Sequence, residues 1–139
     1  LLAGREFGRA ELARRLERRG YPAAVVAAVV EGLAAERLLN ESRFVEQFIR
    51  QHAGRGHGPV RIRMDLRERG VADEEIDEAL AAAAEDWAAI ARDARRRRFG
   101  VSPPGDYRER ARQARFLQYR GFSPDQVRAA MGPGDDIEP

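Results

Sequence analysis

The sequence predicts an all-α protein built from tandem three-helix-bundle repeats, with about 8–9 helices in all. Three observations carry this reading. Strand signals are almost absent: Val and Ile do not alternate with polar residues, and the 139-residue chain contains no Thr. Apolar residues instead recur at helical spacing, as Leu12/Leu16, Val26/Val30/Leu33, Phe44/Phe48, Ile62/Leu66, Ile76/Leu80/Ala83 and Trp87/Ile90/Ala94. Finally, one frame appears three times, at glycine spacings of 50 and 51 residues: Leu16-x-x-x-Gly20-Tyr21, Leu66-x-x-x-Gly70-Val71 and Leu117-x-x-x-Gly121-Phe122. An arginine precedes each of these glycines, and apolar residues follow six and ten positions later (Val26, Ile76, Val127; Val30, Leu80, Met131). A period of this length belongs to stacked helical units, each with an apolar face that its neighbours cover.

The elements follow in order. A first helix is expected near 8–19, opened by Gly8 with Glu11 as a weak capping arrangement and closed by Gly20 in the left-handed conformation. Helices near 22–38 and 41–53 complete unit one, the latter capped by Asn40. The string "GRGHG" at 54–58 is a joint that lets the chain reverse, and Pro59 then opens a helix over 59–69 that Gly70 ends. Asp73 is the expected cap of a helix over 73–84, and a third helix runs over 86–99. After the loop "VSPPGD" at 101–106 come helices over 105–120 and 124–131, the last opened by the capping box Ser123-Pro124-Asp125-Gln126. The resulting units are 1–53, 54–100 and a partial third at 101–132, with a flexible polar tail at 133–139.

Composition narrows the function. Hydrophobic residues make up 43% of the chain, enough for a core, and charged residues 35%, above the usual quarter. The net charge of +2 hides a strong asymmetry. Residues 71–86 carry seven acids (Asp73, Glu74, Glu75, Asp77, Glu78, Glu85, Asp86) and no base, whereas residues 87–121 carry ten arginines against Asp93, Asp106 and Glu109. All 25 cationic side chains are arginine, whose planar fork grips carboxylate or phosphate in bidentate fashion. With no cysteine there is no disulfide, thiolate metal site or thiol nucleophile. No secretory signal or 18-residue apolar run is evident, and the chain, which lacks an initiator Met, is expected to begin inside a longer cytoplasmic sequence.

Catalytic chemistry is not indicated, and no cofactor or metal is expected. His52 and His57 lie five apart across a glycine loop, unlike the i,i+4 pair of a helical zinc site. The glycine loop follows a helix and lacks the Lys-Ser/Thr pair of a phosphate-binding loop. The acids of 73–78 suit the first turns of a helix, where they complement its dipole.

The arginines are more informative. Arg61 precedes Asp65 by four, an ion-pair spacing, while Arg63 and Arg67 lie i,i+4 to each other on a flank expected to have no acid available. Arg95, Arg96, Arg97 and Arg98 close the next unit, and Arg108, Arg110, Arg112 and Arg115 form another basic strip. A single charge run is usually just a solvated face. Three in consecutive elements point to an acidic partner, either nucleic acid or a carboxylate-rich protein. Aromatic residues look too sparse for base readout.

Four strings carry a resemblance: "REFGRAELARRLERRGY", "LLNESRFVEQFIRQHAGRGHGPVRIRMDLRERGV", "EDWAAIARDARRRRFG" and "RARQARFLQYRGFSPDQVRAAM". Together they span nearly the whole chain, which resembles the RecX family, regulators of the recombinase RecA. The resemblance implies three tandem three-helix motifs in an elongated, curved molecule with no enzymatic activity of its own. It implies binding to the RecA–DNA filament, at the groove or an end, with suppression of ATP hydrolysis, strand exchange and coprotease action, and family members also contact DNA. The basic face inferred from the residues comprises Arg55, Arg61, Arg63, Arg67, Arg95, Arg96, Arg97, Arg98, Arg110, Arg112 and Arg115. The competing expectation is an autonomous DNA-binding repeat protein, with single- or double-stranded DNA as its partner, that uses the same arginines. A monomer without membrane association is expected in either case.

Overall fold

The computed structural model describes residues 2–132, with side chains from Ala10 onward. The polar tail expected at 133–139 lies outside the described residues. Within them the chain forms seven helices and no strand: α1 (Leu2–Arg18), α2 (Ala23–Gly54), α3 (Pro59–Glu68), α4 (Asp73–Ala83), α5 (Trp87–Phe99), α6 (Tyr107–Tyr119) and α7 (Pro124–Met131).

The count falls below the expected 8–9 because α2 is a single helix of 32 residues. Asn40 does not cap a new helix; it sits inside α2. No Gly or Pro lies between Gly32 and Gly54 to break the chain, and one Asn among good helix formers costs only a few tenths of a kcal/mol. Gly8 likewise lies within α1 rather than opening it. Asp73 is the first residue of α4, not its cap; the cap position belongs to Ala72, and Asp73, Glu74 and Glu75 face the positive end of the dipole. Asp86 and Asp106 are true caps, accepting from the Ala89 amide at 3.0 Å and the Glu109 amide at 2.7 Å. The capping box at Ser123 closes in both directions: Ser123 Oγ accepts from the Gln126 amide at 3.3 Å, and Gln126 Oε1 from the Ser123 amide at 2.8 Å.

The repeated glycine frame is a repeated helix stop. Gly20, Gly70 and Gly121 have φ of +86, +88 and +97°. Each donates its amide three residues back, and the next residue donates to the repeat leucine: Tyr21 to Leu16 at 3.3 Å, Val71 to Leu66 at 3.1 Å and Phe122 to Leu117 at 3.2 Å. Leucine, glycine and the following apolar residue are thus parts of one device that satisfies the last carbonyls while turning the chain inward. Gly56 makes a fourth copy at the end of α2, where the His57 amide donates to the His52 carbonyl at 3.0 Å.

The chain divides into two compact units between Phe44 and Val45. In the first, Val26 and Val30 are the buried apolar residues of α2. The second holds two clusters. Val45, Phe48, Ile49, Ile62, Leu66, Val71 and Ile76 join the end of α2 to α3 and α4, with Trp87 against them. Ala91, Ala94, Leu117, Phe122, Val127, Ala130 and Met131 join α5, α6 and α7. The packing therefore regroups the helices: α5 opens the last three-helix bundle, because its small residues Ala91 and Ala94 face α6 and α7.

The two bundles of this unit meet backbone to backbone. The Gly58 amide donates to the Arg120 carbonyl at 2.8 Å, and the Val60 amide to the Gly121 carbonyl at 2.9 Å. The C-terminal end of α6 thus caps the N-terminal end of α3, which has no side-chain cap of its own. Negative and positive dipole ends face each other there. Contact this close requires glycine on both sides: a Cβ on Gly58 would lie 2.3 Å from the Gly121 carbonyl oxygen, and one on Gly121 2.3 Å from Arg61 Cβ. The two strings "RGHGP" and "RGF" are the two halves of one joint.

Candidate functional site

The structure sorts the predicted arginines into three groups. Arg95 and Arg110 are structural. Arg95 is only 6% exposed, because it shares the inner face of α5 with Ala91 and Ala94. It donates to the Ala130 carbonyl, the Ser102 carbonyl and Gln113 Oε1, each at 3.3 Å. Burial, with Arg96 beside it, lowers its pKa from the ordinary guanidinium value. Arg110 donates to the Met131 carbonyl at 3.3 Å and the Gly132 carbonyl at 2.8 Å, capping α7 from outside.

A second group is ion-paired. The flank carrying Arg63 and Arg67 is not free of acid: Arg63 forks onto Asp77, and Arg67 Nε lies 3.1 Å from Asp73. The α3–α4 hairpin pivots on Gly70, so a residue seven before meets one seven after, and three before meets three after. Arg61 is 3.9 Å from Asp65, Arg97 3.0 Å from Asp93 and Arg112 2.9 Å from Glu109. All these pairs are solvent-facing, so screening by water keeps the contribution of each small. Hydrogen bonds from Gln113 and Arg112 hold the Glu109 carboxyl below its ordinary pKa.

That leaves Arg55, Arg96, Arg98 and Arg115, exposed and without a carboxylate partner among the described residues. Arg108 and Arg120, absent from the expected face, share this lack of a carboxylate partner. Several of these charges are organised by aromatic rings. Phe99 and Phe116 meet edge to face with centroids 5.2 Å apart. Arg98 and Arg112 lie 5.4 and 5.2 Å from the centre of Phe99, and Arg120 lies 5.2 Å from Phe116. Arg120 also donates to the Arg55 carbonyl at 3.4 Å, which carries the strip to the glycine joint. Cation–π contact holds a guanidinium in place without neutralising it. The aromatic interleaving that looked sparse along the chain is supplied by the pairing of α5 with α6.

The joint also contains the two histidines. They are half-buried, with Nδ1 atoms 2.9 Å apart, and His52 stacks on Phe48 at 3.9 Å between centroids. One ring must donate and the other accept, so at least one stays neutral. Burial lowers both pKa values from 6.5, with Arg55 next in effect for His52 and Arg61 for His57. A lowered folded-state pKa gives stability that is full above 6.5 and lost as pH falls through the folded value. The melting midpoint of the second unit is therefore expected to fall on acidification below 6.5, and His57→Phe is expected to flatten that dependence, as read by circular dichroism across pH.

Among the described residues, no group of three or more His, Asp or Glu gathers to hold a metal, and no helix is long and apolar enough to cross a membrane.

Fold and surface together define an all-helical repeat protein that presents a basic, aromatic-braced face. Models of the three RecX three-helix domains match in sequence order: the first over residues 1–33, the second over 40–80 and the third over 84–131. A regulatory protein RecX of Halorhodospira halophila is 56% identical over 136 residues, covering 98% of this chain and 84% of its own. Those of Pseudomonas fluorescens and Pseudomonas putida are each 46% identical, covering 98% and 99% of this chain and 88% of their own. The chain belongs to the RecX family of regulatory proteins.

Proposed function

We propose that this protein is a non-enzymatic negative regulator of RecA. It binds the RecA–DNA filament, in the groove or at an end, and suppresses ATP hydrolysis, strand exchange and coprotease action. It acts in the cytoplasm as a monomer. The observation that carries this reading is the match to all three RecX domains in order, with relatives named regulatory proteins. The uncommitted arginines of the last bundle support it, since a face of fixed, un-neutralised guanidinium groups suits a polyanionic assembly and speeds encounter with it.

The test is RecA-catalysed ATP hydrolysis on single-stranded DNA with substoichiometric protein added. Hydrolysis is expected to fall, and Arg96→Glu combined with Arg98→Glu is expected to weaken that inhibition while helicity is retained. Undiminished hydrolysis in the presence of folded protein would refute the reading.

A further inference from the structure

We propose that the turn at Ala84–Asp86 is a hinge and the glycine joint is its latch: when Gly58 and Gly121 part, α4 and α5 join into one helix and the last bundle swings away from α3. The turn lacks the residue that stops the chain elsewhere. Each of the other six helices ends at a glycine with positive φ. Helix α4 ends at Ala84, the one non-glycine with positive φ among the described residues, at φ 51° and ψ 36°. The left-handed region crowds a Cβ against the following carbonyl oxygen, so alanine is strained there and glycine is not.

The local sequence favours the straight form. No Gly or Pro lies between Asp73 and Phe99, and the stretch "ALAAAAEDWAAIA" at 79–91 is rich in the best helix former. The repeat shows the same position in its other state. Ala84 stands fourteen residues after Gly70, and Ala34, fourteen after Gly20, lies inside the unbroken α2.

The bend is held by few contacts. Asp86 Oδ1 accepts from the Ala89 amide, and Trp87 packs against the α2–α4 cluster. At the joint, the Gly58 and Val60 amides donate to α6, and Arg120 donates to the Arg55 carbonyl. The buried clusters fall on either side of the hinge, within 45–76 and 91–131, so opening breaks neither core. Opening does strip α3 of its only cap, which makes the closed form the resting one.

The chain has no cysteine, so Met64→Cys on α3 and Tyr119→Cys on α6, both exposed, carry spin labels at chosen places. The distance between them is read by double electron–electron resonance on the full chain. Adding Gly121→Ala, which the joint cannot accommodate, is expected to replace the short distance by a longer, narrow one with helicity retained. In that background Ala84→Gly is expected to lower the ratio of long to short about tenfold, because it relaxes the bend and weakens the straight helix. Asp86→Ala removes the cap of α5 and is expected to raise the ratio about tenfold, with or without Gly121→Ala. Ala88→Pro, tolerated in the first turn of α5 but not inside a continuous helix, is expected to abolish the long distance. A ratio that Ala84→Gly and Asp86→Ala leave unchanged overturns the proposal, as does a long distance that survives Ala88→Pro. So does a broad distribution with lost helicity, which is unfolding, or a long distance that vanishes on dilution, which is exchange between copies.

Discussion

Gly121→Ala is expected to destabilise the second compact unit by more than about 3 kcal/mol, whereas Gly20→Ala should cost about 1 kcal/mol in its own unit. Both glycines stop a helix in the same frame with nearly the same φ, +97 and +86°. The left-handed backbone alone therefore cannot separate them. The surroundings do: nothing lies within 4 Å of a Cβ at Gly20, while one at Gly121 meets Arg61 Cβ at 2.3 Å and the Arg61 amide nitrogen at 2.6 Å. These are backbone and near-backbone atoms that cannot rotate away. Relief requires the bundles to part, which also breaks the bonds from Gly58 and Val60, at about 1 kcal/mol each. Trp87, the sole tryptophan, packs against the α2–α4 cluster and reports on this unit by fluorescence during denaturation. Equal losses at the two glycines would show that the joint adds nothing.

Arg95→Ala is expected to cost about 3 kcal/mol, and Arg95→Lys most of that. Three acceptors on α7, on the loop after α5 and on α6 converge on one guanidinium. Truncation leaves them without their donor, and two are backbone carbonyls that cannot turn to water without moving the chain. A lysine ammonium is a point charge on a flexible stem and cannot reach three directions at once. Arg96→Ala, one position along and exposed, should change stability by less than about 0.5 kcal/mol. The measurement is the denaturation midpoint of each variant, and a neutral Arg95→Ala would show that the buried network contributes no stability.

These cases show what was legible in the chain. Helix class and the glycine frame were readable because three of the stops keep a leucine, a glycine and an apolar residue at fixed offsets. The fourth stop escaped because His52 stands where the other copies have Leu, and His57 where they have Tyr, Val or Phe. The break expected at Asn40 failed because a capping residue starts a helix only when something else ends the previous one. Arg95 looked like one cation in a run of four, although its phase with Ala91 and Ala94 placed it inward. The partners of Arg63 and Arg67 lay beyond Gly70, where the matching i,i+4 spacing of Asp73 and Asp77 was a usable signal. Arg98 and Arg112 were legible as part of a basic face, but their bracing by Phe99 and Phe116 was not, because it exists only once α5 and α6 are side by side.

The head-to-tail meeting of α6 and α3 has a consequence for measurement. The amides of Gly58 and Val60 belong to the start of a helix, where donors normally face water and exchange quickly. Here both are held by carbonyls more than sixty residues away in sequence. Their deuterium uptake therefore follows the parting of the two bundles rather than the fraying of either, giving a clock for that opening in the unlabelled, unmutated protein.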